Sequence, residues 1–374
     1  MENIEPIKAP KSAYIHIPFC KRKCGYCAFT SFAALNFIDD YVKKLIAEIK
    51  HFYKGTPLNT LYIGGGTPSL LEIKHFKKIF SLFNFAPNAE ITVELNPDST
   101  DLKLLSALYE LGVNRLSIGI QSFDEDILRS IGRLHSVKKA KDTVYLAQDT
   151  GFSNISVDLI YGLPKQTIKL WENDLTEAKN LDIEHISLYG LKIEEGTLFH
   201  KNLAAGKLHH LPNDDIQADM YEFAVKFLAP GFELYEISNF AKTPEYYSRH
   251  NLNYWSEGEY FGFGISASGF LNGARYQNTT NFKEYMENPF NSKEINILTE
   301  EERLEETIFL GFRKREGINT GNINEKFGID FNQKYSAVLK KFLNSGHLEK
   351  TEKGYRLSLS GILVSNLILS EFLC

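Results

Sequence analysis

Three of the four cysteines in the 374-residue chain lie within eight residues, as Cys20, Cys24 and Cys27. The C-x3-C-x2-C spacing lets three thiolates on one short loop turn toward a common point, and cysteine thiolates are the usual ligands of iron–sulfur clusters. Three consecutive basic residues, at positions 21–23, separate the first two cysteines. Their positive charge is expected to lower the thiol pKa and favour the ligating thiolate. The segment therefore predicts a metal centre.

A structural zinc site is the alternative to an iron–sulfur cluster. Zinc would require a fourth nearby Cys or His in a closed four-ligand geometry. His16 precedes Cys20 by four residues, but it lies on a predicted strand that directs it elsewhere, and Cys374 ends the chain, where we expect a tail thiol. Clustered thiols are typical of a metal-binding cytosolic protein, whereas a secreted disulfide scaffold spreads its cysteines along the chain.

A glycine run and several isolated polar residues form the second group of candidates. Gly64-Gly65-Gly66-Thr67-Pro68 follows a predicted strand, and its glycines are expected to let backbone approach a ligand and to leave N–H groups free to bond it. A tight turn would look similar. Glu94 and Asp158 lie in or beside apolar strands, where a carboxylate needs a partner. Gln121 and Arg133 lie beyond the ends of later predicted strands and are the remaining polar candidates for binding a ligand.

Short apolar strands alternate with amphipathic helical segments through the first two-thirds of the chain, which predicts parallel βαβ units. The predicted strands are Ala13–Ile17, Thr60–Ile63, Glu90–Glu94, Arg115–Gly119, Ile155–Ile160 and His185–Tyr189. Six such strands form either a partial barrel or a doubly wound sheet. Each unusual polar or glycine-rich segment follows a strand immediately, and a β/α barrel places all these points on one rim. We therefore favour an α/β fold with a partial (β/α)6 barrel.

The later part of the chain is predicted to form two further units. We assign residues 1–240 to the barrel, 241–298 to a connecting segment, and 299–374 to a small C-terminal domain. Helices at Glu300–Arg313, Asn322–Phe327 and Gln333–Ser345 precede a hairpin, an order similar to a winged helix. Residues 300–374 carry eleven Lys/Arg and eleven Asp/Glu, so the basic surface of a DNA-binding domain is absent.

The overall composition limits the classes of function. A net charge of −5 gives no basic field for non-specific nucleic-acid binding, and 43% hydrophobic residues suffice for a large core. No stretch approaches the roughly 20 apolar residues of a membrane span. We expect a soluble cytoplasmic protein.

The cysteine spacing and its flanks resemble the radical S-adenosylmethionine (SAM) superfamily. In that superfamily three cysteines bind three irons of a [4Fe–4S] cluster, and SAM chelates the fourth iron. The resemblance implies both cofactors and places the glycine run at the methionyl part of SAM. It implies that SAM is bound by Tyr14, Gly65, Gly66, Thr67, Glu94, Gln121, Arg133 and Asp158.

Longer motifs look like the oxygen-independent coproporphyrinogen III oxidase family. These motifs, in the same order as in the family, include YIHIPFCKRKCGYC, IGGGTPS, ELNPDS, RLSIGIQSF, DLIYGLPKQT, HISLYGLKIEEGT, YEISNFA and HNLNYW. The family implies a partial (β/α)6 barrel with a small C-terminal helical domain. Its oxidases decarboxylate coproporphyrinogen III oxidatively. They carry a further cysteine where this chain has Phe29 and a longer segment before the first strand, where only thirteen residues precede Tyr14 here.

Both departures favour the branch regarded as haem chaperones, which bind haem and deliver it to haem-dependent, including respiratory, proteins. That branch carries an HNxxYW signature, present as His250, Asn251, Tyr254 and Trp255. His250 is the candidate haem ligand, because His is a common axial ligand and flanking aromatics offer a flat apolar surface. A packed, hydrogen-bonded histidine that closes the barrel is the equal alternative.

The expected function is thus that of a radical SAM haem chaperone, with haem, haem-acceptor proteins and an electron donor as partners and without nucleic acid. A peripheral membrane contact stays open, as does whether SAM cleavage is used. The remaining alternatives are a coproporphyrinogen III oxidase and a zinc-stabilised nucleic-acid-binding module.

Overall fold

The structure, a computed structural model, describes residues 10–290 and 293–373; Cys374 lies outside them. Its main feature is a nine-stranded sheet, in the order β7-β8-β6-β5-β4-β3-β2-β1-β9. The strands are β1 (Ser12–Ile17), β2 (Leu58–Gly65), β3 (Phe85–Leu95), β4 (Arg115–Gln121), β5 (Ile155–Tyr161), β6 (His185–Gly190), β7 (Glu233–Glu236), β8 (Asn239–Ala241) and β9 (Phe261–Phe263).

Strands β1 to β6 are parallel, as predicted, and β9 adds a further parallel strand beside β1. At the other side of the sheet β8 pairs antiparallel with β6, and β7 with β8. The first and last strands of the sheet are not paired with each other, so the barrel is partial. The predicted fold class is confirmed, and its partial barrel acquires three short additional strands.

Helices follow the strands and cover the outer face of the sheet. They are α1 (Ile38–Phe52), α2 (Ile73–Phe80), α3 (Leu102–Glu110), α4 (Glu125–Ser130), α5 (Val137–Thr150), α6 (Ile168–Asn180), α7 (Leu198–Ala204) and α8 (Asp214–Leu228). Along β1, Ala13, Ile15 and Ile17 are fully buried in the main core. Because successive side chains of a strand point to opposite faces, Tyr14 and His16 point to the inside of the barrel. The inner face is therefore polar and the outer face apolar.

The segment after β8 carries the chain from one side of the sheet to the other. It contains α9 (Arg249–Trp255), β10 (Ser268–Leu271), β11 (Ala274–Asn278), α10 (Phe282–Glu287) and β12 (Lys293–Ile297). The N-terminus of α9 lies on the barrel wall, where the Glu90 carboxylate accepts hydrogen bonds from the backbone N–H groups of Arg249 and His250, at 2.8 and 3.0 Å. These contacts fix the start of α9 to the middle of β3.

A second hydrophobic core is formed by residues after 300 together with Tyr221 of α8. Its elements are α11 (Glu300–Gly311), β13 (Ile318–Asn319), α12 (Thr320–Phe327), α13 (Phe331–Lys334), α14 (Ser336–Asn344), β14 (Leu348–Lys350), β15 (Gly354–Leu357), α15 (Leu359–Leu363) and α16 (Ser365–Ser370). The strands pair in the order β13-β15-β14, and Phe312, Phe331 and Phe372 lie at the centre of this core. The helical C-terminal region with its hairpin is as predicted; the boundaries of the three proposed units stay a prediction.

In the described part of the chain no helix combines the length and the apolarity that crossing a membrane requires.

Candidate functional site

The cysteine loop follows β1 and is fixed at both ends by backbone hydrogen bonds. The N–H of Cys20 donates to the carbonyl of Phe32 at 3.1 Å, and the N–H of Phe32 donates to the carbonyl of Pro18 at 2.7 Å. In the middle of the loop, Gly25 donates to Ile131 at 3.1 Å and accepts from Phe199 at 2.8 Å. All three cysteines are free thiols and half-buried. The polypeptide itself therefore defines the shape of the loop.

The separation of the three sulfur atoms bears on which metal they could hold. A tetrahedral zinc ion with Zn–S bonds of about 2.3 Å holds its sulfur ligands about 3.8 Å apart. Among the described residues, the one group of three metal-ligating side chains with donor atoms within 4.8 Å of one another is Asp39, Glu72 and His75, and it contains no cysteine. As free thiols, the three cysteines therefore do not form such a compact group, and no fourth ligand for zinc lies with them among the described residues.

At Cys27, Lys23 lowers the thiol pKa as expected, but the effect of burial is larger. Burial raises the pKa of its thiol, and the neighbouring Cys24 and Cys20 raise it further, while Lys23 lowers it by less. The side chain of Lys21 is directed to Asp98, with its ammonium 2.7 Å from the Asp98 carbonyl and 3.2 Å from the carboxylate. Burial of the thiol thus outweighs the basic flank, and Lys21 connects the cysteine loop to the loop after β3.

The glycine run is adjacent to the cysteine loop at the same rim. The hydroxyl of Thr67 donates a 3.4 Å hydrogen bond to the sulfur of Cys20. The N–H of Gly65 donates to Glu94 Oε2 at 3.0 Å, and the N–H of Gly66 donates to the carbonyl of Ile17 at 2.8 Å. The expectation that these N–H groups are free for a ligand is therefore wrong.

Close packing explains why these positions are glycine. A Cβ on Gly65 would lie 2.6 Å from the imidazole of His16, and Gly65 has a φ of +113°, which L side chains rarely adopt. A Cβ on Gly66 would lie 2.8 and 2.9 Å from the carbonyl oxygens of Phe19 and Ile17. The run brings β2 against the start of the cysteine loop, and this places Thr67 at Cys20.

Tyr14 and Glu94 lie on the inner face of the barrel next to the glycine run. The hydroxyl of Tyr62 donates to Glu94 Oε1 at 2.8 Å, and the ring of Tyr14 stacks on that of Tyr62 at 6.1 Å. Burial raises the pKa of Glu94 to about 7, and the nearby Asp158 carboxylate contributes, whereas the Tyr62 bond lowers it. At neutral pH this carboxyl group can therefore either accept or donate a proton.

His16 orients Tyr14. Its Nε2 bonds the carbonyl of Thr30 at 2.8 Å, so Nε2 carries the proton and Nδ1 accepts from the Tyr14 hydroxyl at 3.0 Å. Burial lowers the pKa of His16, which keeps the ring neutral and maintains this arrangement.

Asp158 and Gln121 are brought to the same inner face from β5 and the end of β4. The hydroxyl of Ser117 donates to both carboxylate oxygens of Asp158, at 3.1 and 3.0 Å. Burial raises the pKa of Asp158. Gln121 has a positive φ of 74°, at the point where the register between β4 and β5 shifts. This bulge turns the end of β4 at the rim.

Arg133 connects the cysteine loop to the loop after β3. Its guanidinium donates to the carbonyl of Gly119 and to Asn96 Oδ1, the latter at 2.7 Å, and lies 3.9 Å from the sulfur of Cys24. Its Nε is buried, and no acceptor for it exists among the described residues. A pocket at this point is lined by Cys24, Thr67, Asn96, Asp98 and Arg133, with Lys21, Arg22, Gly132 and Leu134.

His250 lies away from this rim, toward the opposite end of β2. Its Nδ1 shares a 2.8 Å hydrogen bond with Thr60, its Nε2 a 2.7 Å hydrogen bond with Tyr254, and its ring stacks on Tyr62 at 5.2 Å. The residue is 1% exposed, and burial lowers the pKa of its imidazole to about 3. Axial ligation would require at least one of the two ring hydrogen bonds to break. The role of His250 in haem binding stays a prediction.

Around one rim and the adjoining inner face, the structure thus gathers Cys20, Cys24 and Cys27 with Tyr14, Gly65, Gly66, Thr67, Glu94, Gln121, Arg133 and Asp158. His250 lies farther from the rim and contacts Tyr62, whose ring stacks on Tyr14 and whose hydroxyl bonds Glu94. Tyr62, Asn96 and Ser117 orient Glu94, Arg133 and Asp158 and were not predicted from the sequence. Because alternate residues of a strand face the same side, Tyr62 faces the inside of the barrel with Thr60 and Gly64, and this position could have identified it as a site residue.

Two family models match the chain. Residues 14–178 match the Radical SAM superfamily, and residues 298–364 match the HemN C-terminal domain. The chain is 40% identical to the haem chaperone HemW of Bacillus subtilis over 97% of its own length and 99% of that protein. It is 35% identical to HemW of Lactococcus lactis over 98% of both chains. The chain belongs to the HemW family of radical SAM proteins. This membership confirms the family expected from the motifs.

Among solved structures, coproporphyrinogen III oxidase (HemN) from Escherichia coli, a radical SAM enzyme, matches with a TM-score of 0.85. The match covers 97% of this chain and 90% of that one at 23% sequence identity. At this identity the likeness shows the fold alone.

Proposed function

We propose that this protein is a haem chaperone, which binds haem and transfers it to haem-dependent proteins, and that it holds a [4Fe–4S] cluster and SAM at the rim. The observation that carries the proposal is the full-length similarity to two HemW proteins, described as haem chaperones. The HNxxYW segment lies in the same chain as a rim whose cysteines, Arg133 and carboxylates fit the two cofactors.

Different residues at the rim would bind the cluster and SAM. Cys20, Cys24 and Cys27 would hold the cluster, with the Thr67 hydroxyl bonded to one sulfur. The guanidinium of Arg133, which lines the pocket beside Cys24, would take the SAM carboxylate. The bound cofactors would supply one-electron chemistry.

The inner face would hold the rest of SAM. Glu94 and Asp158 would accept hydrogen bonds from its hydroxyl and amino groups, and Gln121 would contribute a side-chain amide. Tyr14, whose hydroxyl bonds His16, would form an aromatic wall of the SAM site. The closely packed residues Gly65 and Gly66 would shape the floor beside Cys20.

For haem, His250 is the proposed iron ligand. Its lowered pKa keeps the imidazole neutral, which is the form that binds iron. Release of Nε2 from Tyr254 would free a lone pair, while the Thr60 bond would continue to orient the ring. The half-buried Tyr254 and Trp255 would supply apolar surface.

The test is a titration of anaerobically reconstituted protein with haem, followed by the Soret absorbance. We expect saturable one-to-one binding by the wild type and at least a tenfold weaker affinity for His250→Ala. Because His250 is buried and hydrogen-bonded, its removal could also unfold α9. Tyr254→Phe keeps the imidazole and frees Nε2, so it should bind haem as tightly as the wild type or more tightly. Equal spectra and affinities in His250→Ala and the wild type would reject His250 as the ligand.

The oxidase alternative is tested in the same preparation. Incubation with coproporphyrinogen III, SAM and a reductant should yield no protoporphyrinogen. Phe29, where the oxidases carry a cysteine, supports this expectation. Formation of protoporphyrinogen at a catalytic rate would contradict the chaperone function and support the oxidase alternative.

A further inference from the structure

Strand β12 forms an open edge of the small sheet β10-β11-β12. It pairs antiparallel with β11 on one side, and no other strand of the described chain pairs with its second side. Ile297 is 78% exposed, the highest value among the large hydrophobic side chains of the described residues, and Ile295 is 64% exposed. Because alternate residues of a strand point to the same face, the two isoleucines lie on one face of this edge. An exposed, apolar edge strand is a template for pairing with another chain.

Both ends of β12 are fixed to neighbouring elements. At its start, the ammonium of Lys293 lies 3.8 Å from the centroid of the Phe52 ring and 3.8 Å from the carboxylate of Glu48, both on α1. After its end, the N–H of Thr299, the capping residue of α11, donates to the Glu302 carboxylate at 2.8 Å. The strand is therefore formed before a partner binds, and a second strand that pairs with it has only itself to order.

The segment that contains β12 is strongly acidic. Residues 281–306 contain eight Glu and three Lys or Arg, which leaves a net charge of −5, equal to that of the whole chain. Glu294, Glu300 and Glu301 are exposed, and none of them forms a salt bridge in the described ranges. Uncompensated carboxylates beside an apolar edge attract a positively charged partner.

This charge decides among the molecules that could cover the edge. A second copy of the chain would place two equal acidic segments against each other, and like charges across an interface cost free energy. The anionic lipids of a membrane surface would be repelled in the same way. A basic polypeptide in an extended conformation meets both requirements, since its backbone continues the sheet and its alternate side chains reach the isoleucines.

We infer that the open edge of β12 is the docking site of an extended, basic segment of a partner protein, which adds to the sheet as its fourth strand. Main-chain hydrogen bonds supply affinity, and apolar side chains that alternate with Lys or Arg contact Ile295 and Ile297. Strand addition at this edge needs no cluster, SAM or haem, so the docking site is independent of the proposed function.

The experiment measures, by fluorescence anisotropy, the affinity of the full-length protein for a short labelled peptide in which Lys and Val alternate. The variant is Ile295→Lys/Ile297→Lys. The matched control is Leu367→Lys/Leu373→Lys, which makes the same charge change at two leucines that are 59% and 51% exposed in the C-terminal unit. Further peptides carry Glu in place of Lys, or N-methyl groups on either the Val or the Lys residues, which block pairing along one strand edge.

We expect saturable binding of the Lys/Val peptide to the wild type, at least about tenfold weaker binding to the edge variant, and less than about a twofold change in the control. The Glu peptide should not bind, and about 0.5 M salt should weaken binding of the Lys/Val peptide. One of the two N-methylated peptides should lose binding. Hydrogen exchange at residues 293–297 should slow when the parent peptide binds, because the added strand protects the outward backbone groups.

Three results would overturn the inference. One is the absence of saturable binding, or equal affinity of the edge variant and the control, with both folded as judged by thermal unfolding. A second is full binding of both N-methylated peptides, which would mean attraction by charge without strand pairing. The third is a dimer in sedimentation, or binding to phosphatidylglycerol vesicles, that the edge variant abolishes; the edge would then belong to a second copy or to a membrane. Haem-free and haem-loaded protein should bind the peptide equally, so a failed haem titration leaves the docking site intact.

Discussion

Glu94 is the residue at the rim whose protonation changes near neutral pH. Burial raises its pKa to about 7, so the carboxyl group is mostly protonated at pH 6 and mostly ionised at pH 8. A ligand that donates hydrogen bonds to Glu94 binds the ionised form better. We expect SAM affinity to rise about tenfold from pH 6 to pH 8, as the ionised fraction does. Anaerobic calorimetric titration of the cluster-containing protein measures this.

Two variants separate Glu94 from other groups that titrate, including the amine of SAM. Glu94→Gln should bind SAM more weakly at pH 8 and lose most of the pH dependence. Tyr62→Phe removes a donor that lowers the pKa of Glu94, so the transition should move to higher pH. If Glu94→Gln kept the wild-type pH profile, another group would control it.

At this scale the sequence was informative where a residue was chemically out of place. Glu94 and Asp158 were identified because carboxylates are rare in apolar strands. Their partners, Tyr62 and Ser117, are ordinary strand residues on neighbouring strands, and only the register between strands makes them partners. The use of the glycine N–H groups was mispredicted for the same reason, because Glu94 is distant in sequence from Gly65.

At the scale of elements, helix α1 is attached to the connecting segment by one buried carboxylate. Glu48 is fully buried and accepts hydrogen bonds from the Tyr285 hydroxyl at 2.7 Å, the Gly264 N–H at 2.8 Å and the Asn278 amide at 2.8 Å. The ammonium of Lys293 lies 3.8 Å away. Three separate parts of the connecting segment therefore depend on one side chain of α1.

Glu48→Gln should lower the free energy of unfolding by about 1–3 kcal/mol, because the new amide donor faces groups that are themselves donors. The matched control is Glu177→Gln, which breaks a partly exposed 2.6 Å ion pair with Lys141 and should cost less than about 1 kcal/mol. Denaturant unfolding measures both. Equal effects would show that the buried network adds no stability beyond that of a surface pair.

Element boundaries were well predicted where apolar runs are continuous. Five of the six barrel strands agree with the prediction within two residues at each end. Strand β3 begins at Phe85, five residues before the predicted start at Glu90, because Phe85 pairs with Leu58 ahead of a register shift. Its Pro and Asn residues suggest a loop, and only the neighbouring strand makes this stretch extended.

At the scale of the whole molecule, the presence of two hydrophobic cores predicts two unfolding transitions. Phe331 is fully buried in the C-terminal core, and Phe76 is fully buried in the main core. Phe331→Ala and Phe76→Ala should each cost about 3–5 kcal/mol. We expect Phe331→Ala to move only the transition of the C-terminal unit and Phe76→Ala only that of the barrel, as followed by hydrogen exchange.

Hydrogen bonds between the barrel and the C-terminal unit could couple the unfolding of the two cores. The N–H of Arg315 donates to the carbonyl of Tyr235, and the N–H of Ile237 donates to the carbonyl of Arg313, both at 3.0 Å. A single transition that shifts equally in both variants would mean that these bonds couple the cores, and would argue against the proposed division at residue 299.

The packing of the glycine run has a consequence for large-scale mutagenesis. At Gly66 an added methyl group meets backbone carbonyls, and at Gly65 it meets a histidine that is held by two hydrogen bonds. Neither neighbour can move aside easily, so almost every substitution there should reduce the amount of folded protein in cells. Intolerance of these positions in a survival screen would then report on protein abundance, and would not identify them as cofactor contacts.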